Sequence, residues 1–292
     1  MGTTAHILVV DTDPAFLDHA QSRIEELERR WSRFLPTSEV SALNRNAGRA
    51  LQVSNDTIQL VRRALEARDA THGLFDPTVL GDVVRAGYDR SFDALGPVRR
   101  AVTSDLTTNA DGIEIEDNRV RLPSKTGFDP GGIGKGLAAD FVTEELVARG
   151  AAGVCVNLGG DIRVAGVAPG GGAWTIDVVH PELDEPVARV GVTDGAVATS
   201  TTLRRRWTVD AQVRHHLIDP RTGRPSATRN VFATVIAGYA WAADVLAKVL
   251  VLDTGADPFA ALRLTGAEAL VVDTEHHVSV TFGLAAFTRR AA

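Results

Sequence analysis

A glycine-rich segment at residues 129–136 reads Asp-Pro-Gly-Gly-Ile-Gly-Lys-Gly and precedes a predicted helix. Glycines at a helix N-terminus let backbone amides approach an anion, and the helix end adds a positive field. Lys135 supplies a charge for phosphate, and Asp129 could accept a hydrogen bond from a sugar or a ring. The spacing is not that of a Walker A motif, since no Ser or Thr follows the lysine. A capping turn with a surface lysine is the alternative.

A second pair of glycines occurs in the segment Asn157-Leu-Gly-Gly-Asp161, directly after an apolar run. Glycines at the end of a strand permit the close approach of a ligand or of another backbone. A tight bend explains the same pattern equally well.

Two adjacent histidines, His215 and His216, are predicted to lie on a strand before the turn sequence Asp219-Pro-Arg-Thr-Gly223. A neutral imidazole can accept a proton near neutral pH, so His216 is a candidate general base. The alternative is one exposed and one packed histidine. The chain has 8 histidines without His-x-His or cysteine partner spacing, which does not predict a zinc site.

Asp244 lies on a predicted helix that is apolar nearly all round. A carboxylate among Ala, Val and Leu is costly to bury unless it is paired or binds a metal. Lys248 is four residues further on and shares the same helix face. Spacing alone therefore favours an Asp244–Lys248 ion pair over a metal site.

Hydrophobic periodicity predicts the elements that position these groups. Helices are predicted at about 14–33, 55–70, 134–150 and 240–251. Strands are predicted at 5–10, 153–157, 174–179, 188–192, 231–236, 269–273 and 278–282, with a hairpin at 112–122. Helices mixed with hairpin-spaced strands favour the α+β class over a doubly wound parallel sheet. No linker interrupts the chain, so a single domain is predicted over 1–292.

The composition of the chain argues against several classes of protein. The 292 residues carry a formal net charge of −6, which argues against a nucleic-acid partner. The single cysteine, Cys155, excludes an internal disulfide and fits a reducing compartment. No apolar run approaches the length of a membrane span, which is about 20 residues. We therefore expect a cytoplasmic protein without membrane insertion.

Eight motifs occur in one order along the chain. They are residues 1–4 (MGTT), 33–41 (RFLPTSEVS), 73–79 (GLFDPTV), 129–136 (DPGGIGKG), 157–161 (NLGGD), 198–200 (ATS), 216–223 (HLIDPRTG) and 243–247 (ADVLA). This series resembles the ApbE family of FAD:protein FMN transferases over essentially the whole chain. The resemblance implies an α+β, two-lobed fold with mixed and antiparallel sheets flanked by helices, and FAD held between the lobes.

The resemblance also implies a magnesium-dependent reaction. A Thr or Ser hydroxyl of an acceptor protein attacks the phosphorus of the FMN half of FAD, and AMP leaves. It implies metal binding by the Gly132 carbonyl and by Asp244, which is also a catalytic residue, while His216 remains the candidate base. The implied FAD contacts are Met1, Phe34, Leu74, Phe75, Asp76, Asp129, Lys135 and Ile218.

The sequence departs from the family pattern at Lys248, where the family usually has a threonine. Lysine has no acceptor for a metal, and its ammonium could occupy the space of the cation. Two alternatives to the transferase remain open. One is an FAD pyrophosphatase, in which water replaces the acceptor hydroxyl. The other is a non-catalytic FAD-binding protein in which Lys248 replaces the metal.

Overall fold

The computed structural model describes residues 3–10, 13–96 and 98–288. These residues form two compact units, each assembled from separate stretches of chain. The first unit comprises residues 25–134 and 202–227, and the second comprises residues 3–24, 135–201 and 228–288, apart from the positions left undescribed. A single domain over 1–292 stays a prediction.

Helices and strands alternate irregularly along the chain. The α-helices of the described residues are α1 (Ala15–Trp31), α2 (Glu39–Arg45), α3 (Asn55–Ala70), α4 (Leu80–Arg85), α5 (Gly134–Ala148) and α6 (Ala240–Leu252). Short 3-10 helices span Phe92–Ala94, Pro130–Gly132, Ala260–Leu262 and Phe282–Ala286. The strands are β1 (Ala5–Val10), β2 (Ala50–Gln52), β3 (Val98–Arg99), β4 (Glu114–Glu116), β5 (Arg119–Arg121), β6 (Gly153–Leu158), β7 (Asp161–Gly166), β8 (Trp174–Val178), β9 (Ala188–Val192), β10 (Gly195–Thr201), β11 (Arg206–Val209), β12 (Gln212–His215), β13 (Ile218–Asp219), β14 (Arg224–Pro225), β15 (Asn230–Ala237), β16 (Glu268–Asp273) and β17 (Val278–Val280).

The second unit is built on a seven-stranded sheet in the order β1-β6-β7-β10-β15-β16-β17, in which each neighbouring pair is antiparallel. The helix α6 packs on β10 and β15. Its residues from Ala243 to Leu252 are all buried. This burial explains why the helix is apolar nearly all round, since no face of a buried helix contacts water.

The first unit carries the smaller sheets β2-β5-β4, β12-β11-β3 and β13-β14, of which the β11–β3 pair is parallel. Its helix α3 has the predicted bounds because Ser54 caps it, with the Ser54 side chain accepting a hydrogen bond from the Thr57 amide. The α+β prediction is confirmed.

Two helices and several strands were not predicted. The helices α2 and α4 have 7 and 6 residues, too few for a hydrophobic period to repeat. The prediction that both histidines lie on a strand is wrong for His216, because β12 ends at His215. None of the helices among the described residues combines the length and the apolar character needed to cross a membrane.

Candidate functional site

The glycine-rich loop begins at Asp129 in the first unit, where both carboxylate oxygens are engaged. Asp129 Oδ1 accepts a hydrogen bond from the Gly131 amide at 2.8 Å, which caps the 3-10 turn Pro130–Gly132. Asp129 Oδ2 lies 3.3 Å from Arg33 Nε, and these two side chains are only 12% and 8% exposed. The capping alternative is therefore observed at this end of the loop, and Arg33 fixes the direction of the carboxylate.

Arg33 belongs to a group of packed side chains that we call the arginine stack, formed by Arg33, Phe34, Tyr88 and Trp207. The guanidinium carbon of Arg33 lies 4.2 Å from the ring centroid of Phe34 and 4.8 Å from that of Tyr88. Arg33 Nη2 also donates a hydrogen bond to the Tyr88 carbonyl at 3.1 Å. Tyr88 and Trp207 have ring centroids 5.4 Å apart. The rings of Phe34 and Tyr88 also contact each other, with centroids 5.7 Å apart. A guanidinium that contacts two aromatic rings gains cation–π attraction and has little freedom to rotate.

The arginine stack brings together three of the residues that the resemblance implicated. Phe34 is a member, Asp129 pairs with Arg33, and Ile218 is buried in the apolar cluster that contains Tyr88 and Trp207. Burial raises the pKa of Tyr88, so its hydroxyl keeps its proton. No role was predicted for Arg33, Tyr88 or Trp207, and the only local signal was the adjacency of Arg33 and Phe34.

The segment after α3 holds the next three implicated residues. Leu74 is half-buried, and Phe75 and Asp76 are buried. Asp76 Oδ1 accepts hydrogen bonds from the Thr78 amide at 2.7 Å and from its hydroxyl at 2.5 Å. Asp76 Oδ2 accepts one from Arg68 Nε at 3.2 Å. The hydrogen bonds of Asp76 therefore fix the conformation of this segment. Contacts of FAD with Leu74, Phe75 and Asp76 stay a prediction.

The two histidines differ in environment. His215 donates from Nε2 to the Ser226 carbonyl at 3.0 Å and accepts from the Leu217 amide at 3.3 Å, and burial lowers its pKa. His216 lies in the bend after β12 and is half-buried. His215 thus has a structural role, and His216 remains the candidate base. Met1 lies outside the described residues.

In the second unit, four side chains form what we call the lysine–aspartate cluster: Lys135, Asp161, Asp244 and Lys248. Lys135 Nζ donates to Asp161 Oδ2 and lies 3.6 Å from Asp244 Oδ2. Lys248 Nζ donates to Asp244 Oδ1 and to the Asp244 backbone carbonyl, the latter at 3.3 Å. The side chains of Lys135, Asp161, Asp244 and Lys248 are 17%, 3%, 1% and 11% exposed. The predicted Asp244–Lys248 ion pair is confirmed.

Asp161 reaches the cluster because the chain turns tightly between β6 and β7. Gly159 and Gly160 form this turn with φ of +68° and +100°, values that favour glycine. Asn157 Oδ1 accepts a hydrogen bond from the Gly160 amide at 2.8 Å. The tight-bend interpretation of this motif is therefore confirmed. Burial and the charge of Asp244 raise the pKa of Asp161 to about 6 against the opposing effect of the two lysines.

The cluster depends on the docking of α5, which carries Lys135, against α6, which carries Asp244. A Cβ added at Gly136 would lie 2.3 Å from the Ala240 carbonyl oxygen, so only glycine fits at this contact. Asp140 on α5 accepts hydrogen bonds from the Ala240 and Trp241 amides at 2.8 and 2.9 Å, which caps α6. Burial raises the pKa of Asp140 to about 7. The sequence had not indicated this cap.

Magnesium was expected on the Gly132 carbonyl and on Asp244. Gly132 ends the 3-10 turn in the first unit, and Asp244 lies in the second. Lys248 engages Asp244 Oδ1, and Asp244 Oδ2 accepts no hydrogen bond from the described residues but lies near the Lys135 ammonium. Among those residues, no group of three or more His, Cys, Asp or Glu side chains could hold a metal. The Asp244 carboxylate, already flanked by two ammonium groups, does not fit a divalent cation.

Comparisons with known proteins identify the family of this chain. A family model of the ApbE family matches residues 1–271. A FAD:protein FMN transferase of Vibrio cholerae is 30% identical over 271 residues, covering 86% of this chain and 79% of the relative. One from Treponema pallidum is 27% identical over 310 residues, covering 97% of this chain and 85% of the relative.

Solved structures show the same likeness. The ApbE protein of Thermotoga maritima superposes with a TM-score of 0.88 at 25% identity, covering 99% of this chain and 97% of that one. The flavin transferase ApbE of Vibrio cholerae gives a TM-score of 0.81 at 25% identity, covering 98% and 96%. Since the family model spans nearly the whole chain and the fold agrees, the chain belongs to the ApbE family.

Proposed function

We propose that this protein binds FAD and transfers its FMN half to a Thr or Ser hydroxyl of an acceptor protein, with release of AMP. The observation that carries the proposal is the meeting of Phe34, Asp129 and Ile218 around the arginine stack. The transferase class is supported by the relatives, which are named FAD:protein FMN transferases. A cytoplasmic location remains a prediction from composition.

The reaction forms one bond and breaks one. The acceptor oxygen bonds to the FMN phosphorus, the bond from that phosphorus to the bridging oxygen breaks, and its electron pair leaves on AMP. The proton of the acceptor hydroxyl goes to a base, which we assign to His216. Lys135 is at the start of α5, where its ammonium and the helix N-terminus both favour phosphate charge.

One observation favours a second candidate, a non-catalytic FAD-binding protein. The Asp244 carboxylate already has a cation, Lys248, at Oδ1. In this second candidate function, the protein would hold FAD without cleaving it. The FAD pyrophosphatase alternative differs only in the group that attacks phosphorus.

The test is to incubate the protein with FAD and an acceptor protein that the Vibrio cholerae relative flavinylates, in the presence and absence of MgCl2. Intact-mass spectrometry of the acceptor and chromatography of the nucleotides separate the three functions. An acceptor heavier by one FMN, with AMP, supports the transferase. FMN and AMP without a modified acceptor indicate the pyrophosphatase, and unchanged FAD bound to the protein indicates the non-catalytic form.

The assignment of His216 is tested with His216→Ala. We expect turnover to fall by about a hundredfold, the lower range for general base catalysis, while FAD affinity stays the same. His6→Ala is the control, since His6 is exposed on β1. Equal turnover in His216→Ala and the parent would remove His216 from the mechanism.

A further inference from the structure

The lysine–aspartate cluster is electrically balanced by its own side chains. Two carboxylates, Asp161 and Asp244, face two ammonium groups, Lys135 and Lys248, and all four side chains are largely buried. A buried charge without a partner is expensive, whereas a paired one is tolerated. The group therefore has no formal charge left for another ion to neutralise.

The Lys248 ammonium lies where a cation bound to Asp244 would have to be. It is held at two points of the same residue, the Oδ1 atom and the backbone carbonyl, because Lys248 is one helical turn beyond Asp244 on α6. The other carboxylate oxygen, Oδ2, lies 3.6 Å from Lys135 Nζ. Both sides of the Asp244 carboxylate therefore already meet positive charge.

A divalent ion added here would place two further positive charges within a few ångströms of both ammonium groups. Repulsion between like charges at such separations is large where water is scarce. Magnesium also requires near-octahedral oxygen coordination, and Lys248 offers no oxygen. Binding of the ion would require Lys248 to leave a carboxylate on which it is already paired.

We propose that the Lys248 ammonium is the built-in cation of this site, so that FAD binds to this protein without any divalent metal. The inference rests on the proposed function for the identity of the ligand. Lys135, the more exposed of the two lysines, then meets the pyrophosphate charge, while Lys248 neutralises Asp244. A point charge replaces a metal ion, and the binding of FAD loses its dependence on magnesium.

The first experiment uses the full chain and two titrations. MgCl2 is titrated calorimetrically into the protein without FAD, and FAD affinity is measured by flavin fluorescence in EDTA and again in MgCl2. We expect no stoichiometric magnesium binding and the same FAD affinity in both buffers. Stoichiometric magnesium binding by the parent protein overturns the inference.

Two variants at the same position sharpen the result. Lys248→Thr provides an oxygen and removes the charge, so its FAD affinity should rise about tenfold on addition of MgCl2. Lys248→Met also removes the charge but provides no oxygen, so magnesium should leave its FAD affinity unchanged. Circular dichroism melting checks that both variants fold. If either variant does not fold, the two titrations of the parent protein still test the inference. Equal magnesium responses of the parent and Lys248→Thr also overturn the inference.

Failure of the proposed function gives a different result. A parent protein that binds no FAD in either buffer removes the proposed function. The magnesium titration of the FAD-free protein still tests the role of Lys248 on its own.

Discussion

The arginine stack of the first unit and the lysine–aspartate cluster of the second satisfy buried carboxylates in different ways. In the stack, one guanidinium pairs with Asp129 and also contacts the rings of Phe34 and Tyr88, which contact each other. In the cluster, two ammonium groups serve two carboxylates, and Lys135 lies close to both. The first arrangement combines a planar cation with aromatic rings, and the second consists of point charges.

This difference shows how each region can handle a ligand. A guanidinium has fixed donor directions and a flat face, so it orients both its carboxylate and the neighbouring rings. An ammonium has no preferred plane, so it can exchange a carboxylate partner for a phosphate without rearrangement of the residues around it. We infer that the stack positions an aromatic ligand and that the cluster meets phosphate charge.

The largest expected effect comes from breaking the charge balance of the cluster with Asp244→Ala. Removal of one member of a buried ion pair leaves uncompensated charge, so the free energy of unfolding should fall by about 3–5 kcal/mol. Urea unfolding measures this loss. The matched control is the double substitution of Leu for Asp244 and Lys248, which removes both charges and should recover most of the stability. A loss below about 1 kcal/mol in Asp244→Ala is the range typical of solvent-exposed ion pairs. Such a small loss would contradict the charge balance of the cluster.

A smaller effect is expected when Arg33 of the arginine stack is replaced by lysine, the cation that the cluster uses. Arg33→Lys keeps the charge but loses the plane and the fork, so FAD affinity should fall about tenfold, equivalent to about 1.4 kcal/mol. Flavin fluorescence titration gives the affinity. Arg45→Lys is the matched control, since Arg45 is exposed on α2. Identical affinities for Arg33→Lys and the parent would show that charge alone is sufficient at the stack.

The last prediction concerns the dependence of stability on pH through Asp140, which caps α6 beside the cluster. Its pKa is raised from 3.8 to about 7, so the folded state binds its proton more tightly than the unfolded state. This contribution is present in full below about pH 3.8 and is lost as the pH rises through about 7. The free energy of unfolding should therefore decline over this window.

Chemical denaturation at pH 5 and pH 8 of the parent and of Asp140→Asn tests this expectation. The asparagine cannot ionise, so its stability should differ less between the two pH values. A parent protein that is more stable at pH 8 than at pH 5, with the same slope in Asp140→Asn, would contradict the assignment.

Several features were predictable because they depend on neighbours in sequence. The bounds of α3 follow from Ser54 and an apolar period, and the Asp244–Lys248 pair follows from spacing on one helix. The hairpin of β4 and β5 follows from its alternating pattern. The order of the motifs also predicted the fold class and the family, and the match of the family model to residues 1–271 confirms the family.

Other features depend on chain segments that meet only in the folded molecule. Lys135 and Asp161 are 26 residues apart, and Asp140 caps a helix that begins 100 residues later. Local spacing carries no signal for such pairs, because their encounter depends on how β6, β7 and α6 pack. The sequence by itself determined the family, the helix α3 and the partner of Asp244. Tertiary packing alone decided that Arg33 contacts both Phe34 and Tyr88 and that two lysines share one carboxylate, because a buried charge is costly without a compensating group nearby.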